Sequence, residues 1–364
     1  MKSGLITGLV QETDIDQILE LNRIEYGEND ILATRIDFDW RYKQNPVGEA
    51  IVPVVRDEQN NIIGFIWVVP LHLQIKGKNY LAATGTNLVT HPRYRNSFAY
   101  IKLLRQFEQV FKQKDIPLHF SFVSEKTYRQ QKRRNPLTVS IIPLLIRPLS
   151  LKGLVQADVA KNWQRFILDW IDRFMSRLLF RPKSIVLTEQ IAVQAIDQFD
   201  KRFDDFWLKI QDKYPVMAAR DQAFLAWRFA ELSGRRYKIL VAQTAAGMCG
   251  YAVLRCSTIR GVSVGLLLDF LTTDDEIGRK AASILLAQVE AYFRKEQMPL
   301  VATIMPSFTT EYHHLRRAGY LHWPAGFSPR PIRFAYYLHN DPSHDLTSLS
   351  ASDWFVTLAD YESQ

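Results

Sequence analysis

Two octapeptides, far apart in the chain, each close a helix and open a strand in the same way. Phe111-Lys-Gln-Lys-Asp-Ile-Pro-Leu118 and Phe293-Arg-Lys-Glu-Gln-Met-Pro-Leu300 carry Phe, a basic residue, an apolar residue, Pro and Leu at matching places. Upstream, Trp40-Arg41-Tyr42 is echoed by Trp227-Arg228-Phe229. Each of these precedes a strand pair with a glycine in its second strand, Ile63-Gly64-Phe65 and Cys249-Gly250-Tyr251. Agreement at several separated places reads as an internal duplication. It constrains the fold strongly, because whatever one half builds the other half builds too. With 364 residues, 47% of them apolar, each half has enough material for its own core.

The first copy reads as strand Leu5–Val10, an amphipathic helix from Ile15 capped by Thr13-Asp14, and a short helix over Phe38–Tyr42. Strands Ile51–Val55, Ile62–Val69 and Tyr80–Thr90 follow as an antiparallel meander, with turn residues between them. The stretch Asn87–Leu104 then passes from strand through His91-Pro92 and a basic corner, Arg93-Tyr94-Arg95-Asn96-Ser97, into a helix. Phe98, Ile101, Leu104 and Phe107, spaced by threes, read as the apolar face of that helix. A strand, a polar turn and a helix together aim unpaired backbone N–H groups at one point, which is a natural anion site. Strand Pro117–Val123, helix Glu125–Arg134 and one extended segment, Thr138–Ile146, complete the copy.

The second half repeats the order. Its corner is Leu268-Asp269-Phe270-Leu271-Thr272-Thr273 followed by Asp274-Asp275-Glu276-Ile277-Gly278. The three acidic residues suit helix capping better than a diphosphate. The domains expected are residues 1–148, a connecting amphipathic helix over 149–183, a second domain over 184–340, and a tail over 341–364 with a docking strand. The aromatic and basic connecting segment could pack across both domains or, through 158–180, make peripheral contact with an anionic membrane.

The formal charge of +8 favours anionic partners in general. Cys249 and Cys256 match no zinc or redox spacing, and a reducing compartment is expected. The opening MKSGLITGLVQETDID has no long apolar core before its acidic residues, so a secretory signal is not expected. No run approaches the roughly 18 apolar residues that span a bilayer. A cytoplasmic location is the expectation. His313-His314 has no carboxylate at metal spacing, so no metal is expected.

This order of elements, with a strand–turn–helix at its centre, resembles the GNAT acyltransferase superfamily over both halves. The implied fold class is α/β of the α+β kind. It comprises two tandem GNAT-like domains, each a mixed, mostly antiparallel sheet flanked by helices. The Trp-Arg-aromatic element and the Trp354-Phe355-Val356-Thr357-Leu358 tail further resemble tandem proteins found with bacterial cell-surface polysaccharide genes. In the superfamily the corner holds the pyrophosphate of acetyl-CoA through backbone amides of an Arg/Gln-x-x-Gly-x-Gly/Ala signature. The implied cofactor-binding residues here are Leu88, Val89, Arg95, Asn96, Ser97, Phe98, Ala99 and Tyr100. Phe98 and Tyr100 stand where the superfamily has glycine, and two rings there would crowd a phosphate.

The resemblance implies N-acyl transfer from acetyl-CoA or another acyl-CoA to the amine of a small molecule or glycan. An amino sugar or a cell-envelope precursor is the expected kind of acceptor. Such transfer needs a base for the amine, a polarised thioester carbonyl and a proton for the leaving thiolate. The superfamily's tyrosine, where present, lies in the helix after the fifth strand, which points to Tyr128 and its counterpart Tyr312. Asp269, a lone charge in an apolar strand, is the candidate base, with Glu125 and Glu311 behind it. Two other readings remain open at this point. One is a non-catalytic protein binding a glycan or a protein partner. The other is a tRNA-dependent aminoacyl transferase. DNA is not an expected partner.

Overall fold

The computed structural model describes residues 4–95, 97–131, 138–150, 191–232, 235–259, 261–323, 331–339 and 346–361, and elements are numbered over these. The first half supplies β1 (Ile6–Leu9), α1 (Ile15–Tyr26), α2 (Arg35–Lys43), β2 (Pro53–Arg56), β3 (Ile62–Ile75), β4 (Lys78–Thr90), α3 (Ala99–Gln113), β5 (Leu118–Val123), α4 (Glu125–Gln131), β6 (Thr138–Ile142) and β7 (Leu144–Pro148). Thr34 caps α2 by accepting from Asp37 N–H. Lys76 and Gly77, at φ 47° and 82°, make the two-residue turn of the β3–β4 hairpin. That turn needs left-handed backbone at both positions, and its twist matches the strands it joins.

The second half supplies β8 (Ala192–Ile196), α5 (Arg202–Ile210), β9 (Val216–Ala218), α6 (Gln222–Arg228), β10 (Lys238–Thr244), β11 (Gly247–Ile259), β12 (Val262–Thr272), α7 (Glu276–Lys295), β13 (Leu300–Ile304), α8 (Thr310–Arg317), β14 (Leu321–His322), β15 (Ile332–Leu338) and β16 (Trp354–Phe355). The strands form two mixed sheets. The first runs β1-β2-β3-β4-β5-β15-β6, with β9 against the far end of β3 and β16 against β9. The second runs β14-β7-β13-β12-β11-β10-β8. Along each ordered path only one pair is parallel, β4 with β5 and β12 with β13.

The two halves agree in detail at these places. Asp115 and Gln297, at matching places before Ile116-Pro117 and Met298-Pro299, both turn with positive φ, 51° and 57°. Trp40 and Trp227 stack on each other at 5.1 Å and 21°. Each indole N–H donates to the other tryptophan's carbonyl, at 2.7 and 3.1 Å. Such a pair contributes about 1 kcal/mol beyond the area it buries.

The boundary expected at residue 148 divides the chain but not the sheets. The single extended segment expected over Thr138–Ile146 is two strands, broken at Pro143, and the two lie in different sheets. β7 crosses to pair with β13 of the second sheet. In return β15, from the second half, lies between β5 and β6 of the first. β16, in the tail, pairs with β9, which in turn pairs with β3. One continuous apolar core therefore runs through both halves. A smaller core lies under α3, built from Ala99, Leu103, Phe107 and Phe111 against Val55, Ile63 and Val68.

Helix α3 differs from its sequence reading. Its buried residues are Ala99, Leu103, Phe107, Val110 and Phe111, and Phe98 is 61% exposed. Steps of three fall about 60° short of a full turn each, so the Phe98–Phe107 series walks around the helix; steps of three and four stay on one face. Among the described residues no helix is long and apolar enough to cross a membrane. The segment 158–180 lies outside the described residues.

Candidate active site

The parallel pair β4–β5 holds for only two registers, Ala83 with His119 and Thr84 with Phe120. Beyond Thr84 the strands separate. β4 stays with β3, and β5 stays with β15. The resulting crevice is a cavity of about 740 Å³. Its β4 wall is Gly85, Thr86, Asn87 and Leu88, and its β5 wall is Ser121, Phe122 and Val123. Leu104 and Phe107 of α3, Thr127 of α4, and Asp360 and Tyr361 of the tail also line it.

Two features of β4 shape this crevice. At Gly85 an added Cβ would lie 2.9 Å from Ser121 Oγ and 3.0 Å from Phe107 Cζ, so a side chain there would crowd both. At Asn87 the backbone turns to φ 47°, and the register against β3 slips between Thr86 and Val89. A bulge of this kind takes a residue out of the ladder and re-aims its backbone groups.

The residues expected to hold a cofactor are distributed unevenly around this site. Leu88 lines the cavity, and Val89 is buried in the core. Arg95 donates to Thr90 O at 3.2 Å and pairs with Glu25. The N–H of Ser97 donates to Tyr94 O at 3.0 Å, and that of Ala99 to Ser97 Oγ at 3.1 Å. Ala99 is buried, and the Phe98 ring faces solvent instead of crowding the crevice. Tyr100 lies in the first turn of α3, and Asn96 is outside the described residues.

A histidine pair in the cavity wall carries no sequence signal. His119 Nδ1 and His339 Nε2 are 2.6 Å apart. The His119 ring stacks on Tyr337 at 4.3 Å, and the His339 ring on Phe111 at 4.1 Å. Burial, then the His339 charge, hold His119 well below the usual imidazole range. Burial, then Lys112, bring His339 down to about 4. Both rings are thus neutral at pH 7, one donating to the other. They lie 220 residues apart in sequence and meet only because β15 has crossed into the first sheet.

The second sheet repeats part of this construction. β12 and β13 also pair at only two registers before separating, and β12 also carries a bulge, between Leu267 and Asp269. Beside the end of β12 sits Glu311, fully buried at the start of α8. It accepts from Thr272 N–H at 3.3 Å and from Lys213 Nζ at 2.6 Å, and Tyr214 OH donates to its second oxygen. Lys213 also donates to Thr272 O at 2.8 Å. Burial, then the Glu311 charge, push the Tyr214 hydroxyl well above the usual phenol range. The start of α7 is closed, since Asp275 accepts from Gly278 N–H at 2.6 Å and a Cβ at Gly278 would strike Thr273 O.

The candidate proton-handling residues lie in three separate places. Tyr128 is on α4, beside the cavity-lining Thr127, with Arg333 over its ring at 5.3 Å. Tyr312 is in the second half, where its hydroxyl lies 2.5 Å from His322 Nε2 at an exposed position. Asp269 is fully buried and ion-paired to Arg220 at 2.9 Å. It also accepts from Tyr251 OH at 2.7 Å and Thr357 Oγ1 at 2.9 Å, so its carboxylate braces the interior. Glu125 pairs with Arg129 and Arg333.

Comparison with known proteins adds to this geometry. Residues 8–132 match the sequence model of the acetyltransferase (GNAT) domain. No curated protein sequence matches the chain. A GCN5-related N-acetyltransferase from Anabaena variabilis superposes with TM-score 0.61 at 13% identity, covering 92% of this chain and 73% of that one. The Saccharomyces cerevisiae N-myristoyltransferase, solved with bound myristoyl-CoA, superposes with TM-score 0.59 at 14% identity, covering 93% and 83%. A conserved Enterococcus faecalis protein described as a probable N-acyltransferase gives 0.61 at 8% identity, covering 92% and 72%. At these identities the likeness is one of fold, and it extends over both sheets.

Proposed function

We propose that this chain is an acyl-CoA-dependent N-acyltransferase that works in the β4–β5 crevice of the first sheet. The observation that carries the reading is the contrast between two related crevices. The first holds a cavity of about 740 Å³, whereas at the end of β12 in the second Lys213, Tyr214 and Glu311 form a buried hydrogen-bonded cluster. The edge of β4 beyond Thr84 has lost its β5 partner, and its backbone N–H and C=O groups suit the amides of a pantetheine arm laid down as an added strand. The GNAT-domain match over residues 8–132 ends at the close of α4, so it contains this crevice and not the second one. Acetyl-CoA, or a longer acyl-CoA, is the cosubstrate this reading requires.

In the reaction, the neutral amine nitrogen attacks the thioester carbonyl carbon, the C–N bond forms and the C–S bond breaks. Of the two protons an ammonium acceptor loses, one ends on the thiolate sulfur and the other in solvent. Charge developing on the carbonyl oxygen calls for fixed N–H donors, and we assign that role to the backbone at the Asn87 bulge. Tyr128, on the helix that flanks the crevice, is the residue we assign to proton delivery at sulfur. Asp269 and Tyr312 belong to the second half and take structural roles in this account. The Trp-Arg-aromatic and tail elements favour an amino sugar or a cell-envelope precursor as acceptor.

Thermal unfolding with acyl-CoAs, followed by transfer assays on a panel of amines, tests the reading. A ligand at 100 times its Kd stabilises by about 2.7 kcal/mol, so a clear rise in Tm is expected. Tyr128→Phe is expected to lower kcat by about a hundredfold while leaving that rise intact. Absence of any shift at millimolar acetyl-CoA, butyryl-CoA or myristoyl-CoA would overturn it.

A further inference from the structure

Acyl transfer needs a group that takes a proton from the attacking nitrogen. Asp269 and Glu311 are buried in ion pairs of the second half. His119 is placed differently. It pairs with Ala83 just before β4 and β5 part, and its ring lines the cavity. Its Cδ2 lies 3.4 Å from the position a Cβ would take on Gly85, so this edge of the ring faces the crevice. The ring atom next to Cδ2 is Nε2. Among the described residues Nε2 has no hydrogen-bond partner, and it is not sealed from the cavity.

The other nitrogen, Nδ1, is 2.6 Å from His339 Nε2. The ring also stacks on Tyr337 at 4.3 Å and on Phe111 at 4.7 Å, nearly parallel to both, which fixes its plane. Two neutral imidazoles joined in this way share one proton, and whichever ring donates it keeps its far nitrogen bare. Asn87, where β4 bulges, lies two residues beyond Gly85, about 7 Å along an extended strand. An acyl carbonyl held at the bulge, and an amine nitrogen attacking its carbon, fill that span.

We propose that His119 donates from Nδ1 to His339, presents a bare Nε2 to the cavity, and acts there as the general base for the attacking amine. The assignment deepens the acyltransferase reading and rests on it. The nitrogen attacks as the free amine and the C–N bond forms. His119 Nε2 takes one N–H proton from the adduct, whose nitrogen is more acidic than a free ammonium. The resulting imidazolium is steadied by its Nδ1–H bond to His339. The C–S bond breaks and sulfur takes its proton from Tyr128. Solvent restores Tyr128 and relieves His119 as the products leave. Burial favours the neutral ring, so Nε2 is bare before each turnover and does not retain the proton after it. His339 acts through His119 and is a positioning residue, supplied to the first sheet by the second half of the chain.

Nitrogen NMR of the full chain, isotope-labelled at histidine and assigned through His119→Gln and His339→Gln, reads the tautomer without turnover. At pH 7 His119 is expected to carry its proton on Nδ1 and none on Nε2; a proton on Nε2 overturns the proposal. This is read in the unaltered chain, so it decides even where a variant at the buried position does not fold. In transfer assays His119→Ala is expected to lower kcat by about a hundredfold, with the Kd for acetyl-CoA within threefold of the parent. Added imidazole is expected to restore at least tenfold of the loss. Pyrazole, of the same shape but far less basic, is expected to restore nothing. Equal rescue by both, or by neither, overturns the base assignment. His339→Gln keeps an acceptor for the Nδ1 proton and is expected to be at least tenfold more active than His339→Leu; equal loss contradicts the positioning role. Calorimetry of the parent protein with acetyl-CoA reports the underlying reading separately. A parent that neither binds nor transfers overturns that reading and the base with it, whereas a parent matched in kcat by His119→Ala overturns the base alone.

Discussion

Gly85 and the histidine pair show what single residues contribute to this site. A side chain at Gly85 would press on Ser121 and Phe107 inside the crevice. Gly85→Val is therefore expected to weaken acetyl-CoA binding by more than tenfold, read by calorimetry, at a stability cost of about 1–3 kcal/mol from overpacking. His339 is held near 4, below its unfolded value. Its neutral form is favoured in the folded state, so its contribution is complete above about pH 6.5 and is lost as pH falls from there toward 4. His339→Gln should flatten the decline in Tm between pH 7 and pH 4.5; a decline as steep as that of the parent protein would contradict this. Sequence reasoning located the corner but not the direction of its Phe98 ring. Phe98 stands where the superfamily has glycine, yet the phase of α3 turns it to solvent, because Ala99, Leu103 and Phe107 take the buried face. His119 and His339 were beyond its reach, since neither has a local pattern and their meeting depends on which strand crosses between sheets.

At the scale of elements, the two sheets share one construction at their parallel pairs. In both, a parallel strand pair separates after two registers and the outgoing strand carries a bulge. The strand, turn and helix orders were legible because hydrophobic periodicity and turn residues are local signals. The buried cluster was not legible, because Lys213 precedes β9, Glu311 opens α8, and only the fold brings them together. Lys213 and Glu311 are 3% and 0% exposed. Lys213→Met leaves the Glu311 carboxylate buried without its cation and is expected to cost about 3–5 kcal/mol. Chemical denaturation measures this, and acetyl-CoA affinity at the first crevice should be unchanged. The acidic run after β12 did carry its meaning in sequence: Asp275 caps α7, occupying with its own side chain the place an anion would take.

At the scale of the molecule, the reciprocal exchange of β7 and β15 makes the halves interdependent. A fragment of residues 1–148 has no β15 between β5 and β6, and its β7 has no β13 to pair with. It is expected to show no cooperative unfolding transition by circular dichroism, whereas the full chain is expected to unfold in one. Duplication was readable from repeated local signatures, but strand exchange was not, since either sheet offers the same pairing pattern to an eight-strand-spanning excursion of the chain. The exchange also bears on function, because it brings His339 and the Asp360-bearing tail of one half to the crevice of the other. The central claim is that one of two related crevices binds an acyl-CoA and the other has become structural. Isothermal titration of the full chain with acetyl-CoA tests it most directly. The account predicts one site per chain, lost in Gly85→Val and retained in Lys213→Met; two sites per chain, or a single site lost in Lys213→Met and kept in Gly85→Val, would contradict it.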